Sequence, residues 1–137
     1  LFVSFLKQNL NLMLEKSYIN TALLFFRVSF SLCLMTHGYG KLMKLINGNF
    51  DFADPLGVGS IPSLLFTVLG EFIAPIFIIL GYRTRLALIF SIITTGVIAF
   101  VVHADDPFKG KEKALLFCIG FIALYLTGSG KYSLRKS

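Results

Sequence analysis

Four long apolar segments, separated by shorter polar stretches, dominate the chain. They cover residues 21–35, 61–80, 86–102 and 114–127. A helix needs roughly 20 apolar residues to cross the hydrocarbon core of a bilayer, so we extend the first segment through His37 to the region of Lys41 and the last back to Glu112. Backbone groups in lipid must be hydrogen-bonded within the protein. The pattern therefore predicts an all-α integral membrane protein, a four-helix bundle.

The first 19 residues follow a different pattern. Their apolar side chains recur at helical spacing on one face, at Phe2, Leu6, Leu10 and Met13. A helix of this kind typically lies in the membrane interface, and the segment lacks the basic start and small-residue cleavage site of a signal peptide. We therefore predict two parts: a short interfacial amphipathic helix, residues 1–19, and one membrane domain of four transmembrane helices, residues 20–134.

Composition and charge agree with a membrane protein. The 137 residues are 55% hydrophobic and 15% charged, and a soluble domain of this size would need more polar surface. With four spans, the side that holds both termini carries seven Lys and Arg residues, Lys136 among them, and the other side carries five. The positive-inside rule then predicts that both termini are cytoplasmic. We attribute the net charge of +6 to basic residues that lie at the membrane surface. The sequence contains no nucleic-acid-binding motif.

Glu71 lies near the centre of the second apolar segment. A carboxylate at the bilayer centre costs about 2.5–3.5 kcal/mol on insertion scales, and such residues usually face other helices or water. Pro75 lacks the amide that would bond the Glu71 carbonyl, and Gly70 and Ala74 allow close approach of another helix. We predict that Glu71 points inward. The Glu71 side chain either takes part in the function of the protein or only holds the helices together through polar contacts.

Arg27 is the natural candidate for the partner of Glu71. It lies roughly 10 Å into the first span, and a guanidinium group binds carboxylates well. We therefore predict an Arg27–Glu71 ion pair. The alternative is that the Arg27 side chain extends to the cytoplasmic interface.

Two histidines, His37 and His103, end the first and third helices on the non-cytoplasmic side, and Glu112 is near the same surface. Imidazoles there could relay protons, contact a quinone carbonyl, ligate haem or a metal, or simply form hydrogen bonds. No Cys/His cluster has ligand spacing, so a metal site is not predicted and haem is disfavoured. Glu112 could also act as a cap at the start of the fourth helix.

These residues, in this order, resemble the DoxX family of small four-helix membrane proteins. The resemblance covers residues 20–134, with one departure at Pro75-Ile76, where family members often have Gly-Gly. The matching elements are Arg27, the H-G-x-x-K stretch from His37 to Lys41, Gly70-Glu71, G-Y-R-T-R from Gly81 to Arg85, His103, Phe108 with Glu112, and T-G-S-G-K-Y-S-L from Thr127 to Leu134.

The resemblance implies a role beside redox enzymes of the membrane. It also implies a set of polar site residues, but it assigns a catalytic role to none of them. The family takes its name from a small subunit associated with an archaeal quinol oxidase and thiosulfate:quinone oxidoreductase system, and other members resemble partners of redox-defence proteins. The residues that the resemblance carries over are Arg27, His37, Lys41, Glu71, Arg85, His103 and Glu112.

From the residues and the resemblance together we predict an accessory subunit, rather than an independent enzyme, in a redox or quinone-linked complex of the bacterial or archaeal cytoplasmic membrane. A polar cavity around Glu71 would exchange protons or bind a quinone, and haem is the disfavoured alternative cofactor. Partners would be the lipid bilayer and other membrane subunits or a second copy. The alternative is a structural or assembly subunit without a ligand. A transporter is disfavoured because no inverted repeat is visible.

Overall fold

The computed structural model describes residues 1–135, and every regular element in that range is helical. Lys136, one of the predicted cytoplasmic basic residues, lies outside the described range. The helices are α1 (Phe2–Ile46), α2 (Ser60–Leu80), α3 (Thr84–Val102) and α4 (Phe108–Thr127).

Three of these helices, α1, α2 and α3, are long and apolar enough to cross a membrane. The predicted spans at 61–80 and 86–102 match α2 and α3 closely. Helix α4 is not among the three candidate spans in the described part of the chain. Its first two turns hold Lys109, Lys111, Glu112 and Lys113, so its apolar part is shorter than roughly 20 residues.

Helix α1 is much longer than a membrane span. Its 45 residues extend for about 68 Å at 1.5 Å per residue, more than twice the hydrocarbon thickness of roughly 30 Å. Residues 1–19 are exposed throughout, and the helix passes from them into the first apolar segment without a break. The interfacial position of this segment stays a prediction.

The helices pack in chain order, and α4 also contacts α1, so the chain closes on itself. Leu34, Ile78, Leu88 and Phe121 form the apolar core between them. Large apolar side chains also cover the outside, including Phe25, Phe100 and Leu126. Contiguous apolar surface on this scale indicates contact with the lipid bilayer.

Two short π-helical turns interrupt the α-helical pattern, at Leu69–Ile73 in α2 and at Ile98–Val102 in α3. The Ala74 amide bonds the Leu69 carbonyl, five residues back. In this register residue 75 would bond the Gly70 carbonyl next, but proline has no N–H. The Ser91 hydroxyl of α3 donates to the Gly70 carbonyl instead, at 2.7 Å. The π turn of α2 is thus completed by a side chain of the neighbouring helix.

Two glycines bring helix backbones into contact at this level. A Cβ at Gly70 would overlap the Thr94 side chain of α3, and a Cβ at Gly38 would lie 2.7 Å from the Glu71 carbonyl oxygen. The close approach predicted at Gly70 is confirmed. The Gly38 contact was not predicted, and it sets the register of α1 on α2.

We expect Gly38→Ala to destabilise the protein by about 1–3 kcal/mol, the usual cost of overpacking. Gly40→Ala is the matched control, because a Cβ at residue 40 meets no atom within 4 Å and alanine favours a helix by up to about 1 kcal/mol over glycine. Thermal unfolding of the purified variants in detergent measures both. Equal melting temperatures for the two variants would contradict the assigned contact.

Candidate functional site

The centre of the site is an ion pair between α1 and α2. Lys41 Nζ lies 2.5 Å from Glu71 Oε2. The carboxylate side chain is only 3% exposed, while the lysine side chain is 27% exposed, so the pair is buried on its acidic side and accessible on its basic side. Lys41 follows Gly38 by three residues, which places both on the same face of α1. The prediction that Glu71 points inward is confirmed.

The predicted Arg27–Glu71 pair is wrong. Antiparallel packing sets Gly38 against Glu71, so Arg27 lies eleven residues from that level, about 16 Å along α1. The Arg27 side chain is fully buried and donates to three carbonyls, those of Ile79, Ser129 and Tyr132. Its guanidinium therefore extends away from Glu71 and is bonded by protein carbonyls.

The carbonyls that Arg27 binds belong largely to the C-terminal tail, residues 128–135. The Leu134 amide bonds the Leu80 carbonyl at 3.2 Å, and the Arg135 amide bonds the Gly81 carbonyl at 3.1 Å. On the other side the Lys131 amide bonds the Asn20 side chain at 2.8 Å. We call this the tail end of the molecule. Here the tail closes the helices, and Arg27 holds it in place.

The opposite end, which we call the cavity end, contains a polar cavity of about 360 Å³ beside the ion pair. Four predicted site residues line it: His37, Lys41, Glu71 and His103. Lys109 and Lys113 of α4 also line it, as does Thr95 of α3. The cavity thus combines one carboxylate with three amines and two imidazoles.

The two histidines are held differently. His103 follows the π turn of α3, and its Nδ1 lies 2.6 Å from Asp106 Oδ2. The Asp106 carboxylate on one ring nitrogen orients the His103 imidazole. The His37 ring packs edge-on against Phe117, with ring centroids 6.0 Å apart.

The other three residues of the predicted polar set do not line this cavity. Arg27 is at the tail end. Arg85 is also there, where its Nε donates to the Tyr125 carbonyl at 3.3 Å and its guanidinium lies over the Tyr125 ring. Glu112 is exposed on α4. Sequence reasoning missed Lys109 and Lys113, although their spacing of four residues places both on one face of α4.

A second cavity, of about 440 Å³, adjoins the first and is mostly apolar. It lies between α2 and α3, beneath residues 52–58, which we call the 52–58 loop. Lys41, Ile98 and His103 line both cavities.

Asp54 holds the 52–58 loop together. Its carboxylate accepts hydrogen bonds from the amides of Val58 and Gly59, at 2.9 and 2.8 Å, and from the Ser63 hydroxyl at 3.0 Å. The Gly59 amide, foremost among these donors, lowers the pKa of Asp54 below its ordinary value. The loop and the first turn of α2 are therefore joined through one ionised side chain.

The fold and the site define a small helical membrane protein with a buried ion pair beside a polar cavity. The sequence model of the DoxX family matches residues 22–104, more than half of the chain. The chain therefore belongs to the DoxX family, as its resemblance predicted. No curated protein and no solved structure matches it. Within residues 1–135, no three His, Cys, Asp or Glu side chains come together as metal ligands.

We expect Asp54→Asn to lower the melting temperature at neutral pH and to have little effect in acid. Because the folded-state pKa of Asp54 is depressed, ionised Asp54 stabilises the fold above its ordinary pKa of about 3.9, and that contribution is lost as the pH falls through the folded-state value. Thermal unfolding at pH 7 and pH 3 measures the difference.

Asp51→Asn is the matched control for this experiment, because Asp51 contacts Lys44 through its main-chain carbonyl. The control should unfold close to the wild type at pH 7. A melting temperature for Asp54→Asn that differs equally from the wild type at both pH values would refute the assigned role.

Proposed function

We propose that this protein is an accessory subunit of a redox or quinone-linked complex in the cytoplasmic membrane. Its four helices would form a four-helix bundle around a polar cavity in which Glu71 exchanges protons with a bound quinone. The observation that supports this most is the Lys41–Glu71 pair, buried at the acid and open at the amine, at the edge of a cavity that two histidines also line.

The cavity has the size and the polar groups that a quinone headgroup needs. Ligand pockets usually measure about 300–1,000 Å³ and carry a few placed polar groups in an otherwise apolar wall. Quinone carbonyls accept hydrogen bonds, and the groups that would donate them are the Lys41 amine and the His37 imidazole on α1 and the His103 imidazole at the end of α3. In the proposed role these groups bind and orient the headgroup.

Protons have a defined route in this proposal. Reduction of a quinone to a quinol takes up two electrons and two protons, and the electrons would come from the partner subunit. Glu71 is shielded by protein, so a proton reaches it through the cavity and Lys41. The acid would hold a proton close to the quinone oxygen, since general acids and bases act at hydrogen-bond distance.

A second candidate is a structural or assembly subunit that binds a larger membrane complex without a ligand. One observation favours it. The first 19 residues of α1 are exposed, and Phe2, Val3 and Met13 are among their large apolar side chains. An apolar helix face without a partner in its own chain can bind another protein as well as lipid.

We expect Glu71→Gln to lower quinone-dependent respiration by at least about tenfold, since a positioned acid or base typically contributes 10²–10⁴-fold. The assay uses membrane vesicles from cells in which the variant replaces the natural copy, with the amount of protein in the membrane measured in parallel. Glu112→Gln, an exposed acid outside the cavity, is the matched control and should respire normally.

Unchanged respiration with Glu71→Gln at normal abundance would overturn the proton role. Loss of the variant from the membrane, together with loss of the partner complex, would instead favour the assembly function. The two candidate functions thus predict different readouts for the same substitution.

A further inference from the structure

The apolar cavity beside the polar one suggests what kind of molecule the site accepts. We propose that the ligand is an amphiphile with a hydrocarbon tail, whose tail occupies the apolar cavity between α2 and α3 while its head occupies the polar cavity. This inference deepens the proposed function and rests on it for the role of the head. The tail site itself rests on the geometry of the second cavity.

The two cavities are arranged as parts of one site. Three residues, Lys41, Ile98 and His103, contribute to the walls of both. A molecule in the apolar cavity therefore reaches the amine that binds Glu71 without crossing another layer of protein. On one side of this shared wall the lining includes Glu71 and most of the charged groups, and on the other side it is mostly apolar.

The lining of the second cavity suits a hydrocarbon chain. Its α2 and α3 walls include Phe66, Phe90, Ile93 and Val97, and the 52–58 loop covers it. Its volume of about 440 Å³ lies within the usual range for ligand pockets, roughly 300–1,000 Å³. Because a tail in the bilayer is already out of water, its gain on entering comes from close packing contacts with these side chains.

The cavity is reached from the side that faces lipid. Phe66 is 61% exposed and Ile93 is 58% exposed, and both line the cavity. They lie within α2 and α3, which are apolar enough to cross a membrane. Their outer edges therefore face acyl chains, and a tail can enter between the two helices directly from the bilayer.

Charge defines the head of the ligand. Three amines, those of Lys41, Lys109 and Lys113, line the polar cavity, and the one carboxylate among its lining residues, Glu71, already binds Lys41. Such a set favours a head that presents oxygen acceptors. The carbonyls of an isoprenoid quinone and the anionic group of a membrane lipid share this chemistry, so the test includes both sources.

The experiment uses two probes, each with a photoreactive diazirine near the end of the tail: a quinone with a prenyl tail and a phosphatidic acid with an acyl tail. The full chain is reconstituted in nanodiscs, irradiated with each probe, and digested for peptide mapping. We expect labelling to concentrate on the 52–58 loop and on the part of α3 around Val97. Unlabelled quinone with its tail should compete, and the same headgroup without a tail should not.

Val97→Phe is designed to fill the cavity. We expect it to reduce labelling of the loop by about tenfold, since the phenyl ring would take the space of the tail and remove most of its packing contacts. Val101→Phe is the matched control. It makes the same change on the same helix at a residue that is partly exposed and does not line the cavity, and it should leave the labelling intact.

Preferential labelling by the quinone probe assigns the site to an isoprenoid quinone. Preferential labelling by the phosphatidic acid probe, without competition from quinone, assigns it to a membrane lipid. Both results support the tail site. Labels scattered over all lipid-facing helices, or equal competition by the tailless headgroup, would overturn it. Failure of the proposed function is distinguishable, because Glu71→Gln could leave respiration unchanged while Val97-dependent labelling persists.

Discussion

A charged side chain inside a membrane protein must be given partners by the protein, because lipid offers none. Helix α1 buries one face along most of the domain, at Arg27, Ser31, Leu34 and Gly38, and Lys41 continues that face. The cations at its two ends are compensated in different ways. Arg27 binds neutral carbonyls of α2 and the tail, whereas Lys41 binds the carboxylate of Glu71.

Because Arg27 and Lys41 are compensated in different ways, the two ends of the molecule have different properties. A guanidinium bonded to three carbonyls fixes the tail and closes the tail end. An amine needs fewer partners, and the partly exposed Lys41 still borders both cavities. The π turns of α2 and α3 support the same arrangement, since Glu71 lies within one and His103 directly follows the other. Turns of this kind frequently occur at functional sites.

The sequence was sufficient to predict the helical class, the limits of α2 and α3, and the inward orientation of Glu71, because each depends on hydrophobic periodicity and on the cost of a charge in lipid. The partner of Glu71 depends on interhelix register. That register is set by the backbone contact at Gly38, which the apolar pattern does not encode. The estimate of Arg27 depth therefore pointed to the wrong cation, and Lys109 and Lys113 looked like ordinary charges at a helix start.

The central claim is that Glu71 is paired with Lys41 and not with Arg27, and double-mutant cycles test it most directly. Unfolding free energies in detergent would be measured for Lys41→Met, Arg27→Met and Glu71→Gln, singly and in pairs. For residues in contact we expect a Lys41–Glu71 coupling of about 1–3 kcal/mol, and for the distant Arg27–Glu71 pair a coupling below about 0.5 kcal/mol. Coupling of Glu71 to Arg27 instead of Lys41 would contradict the account.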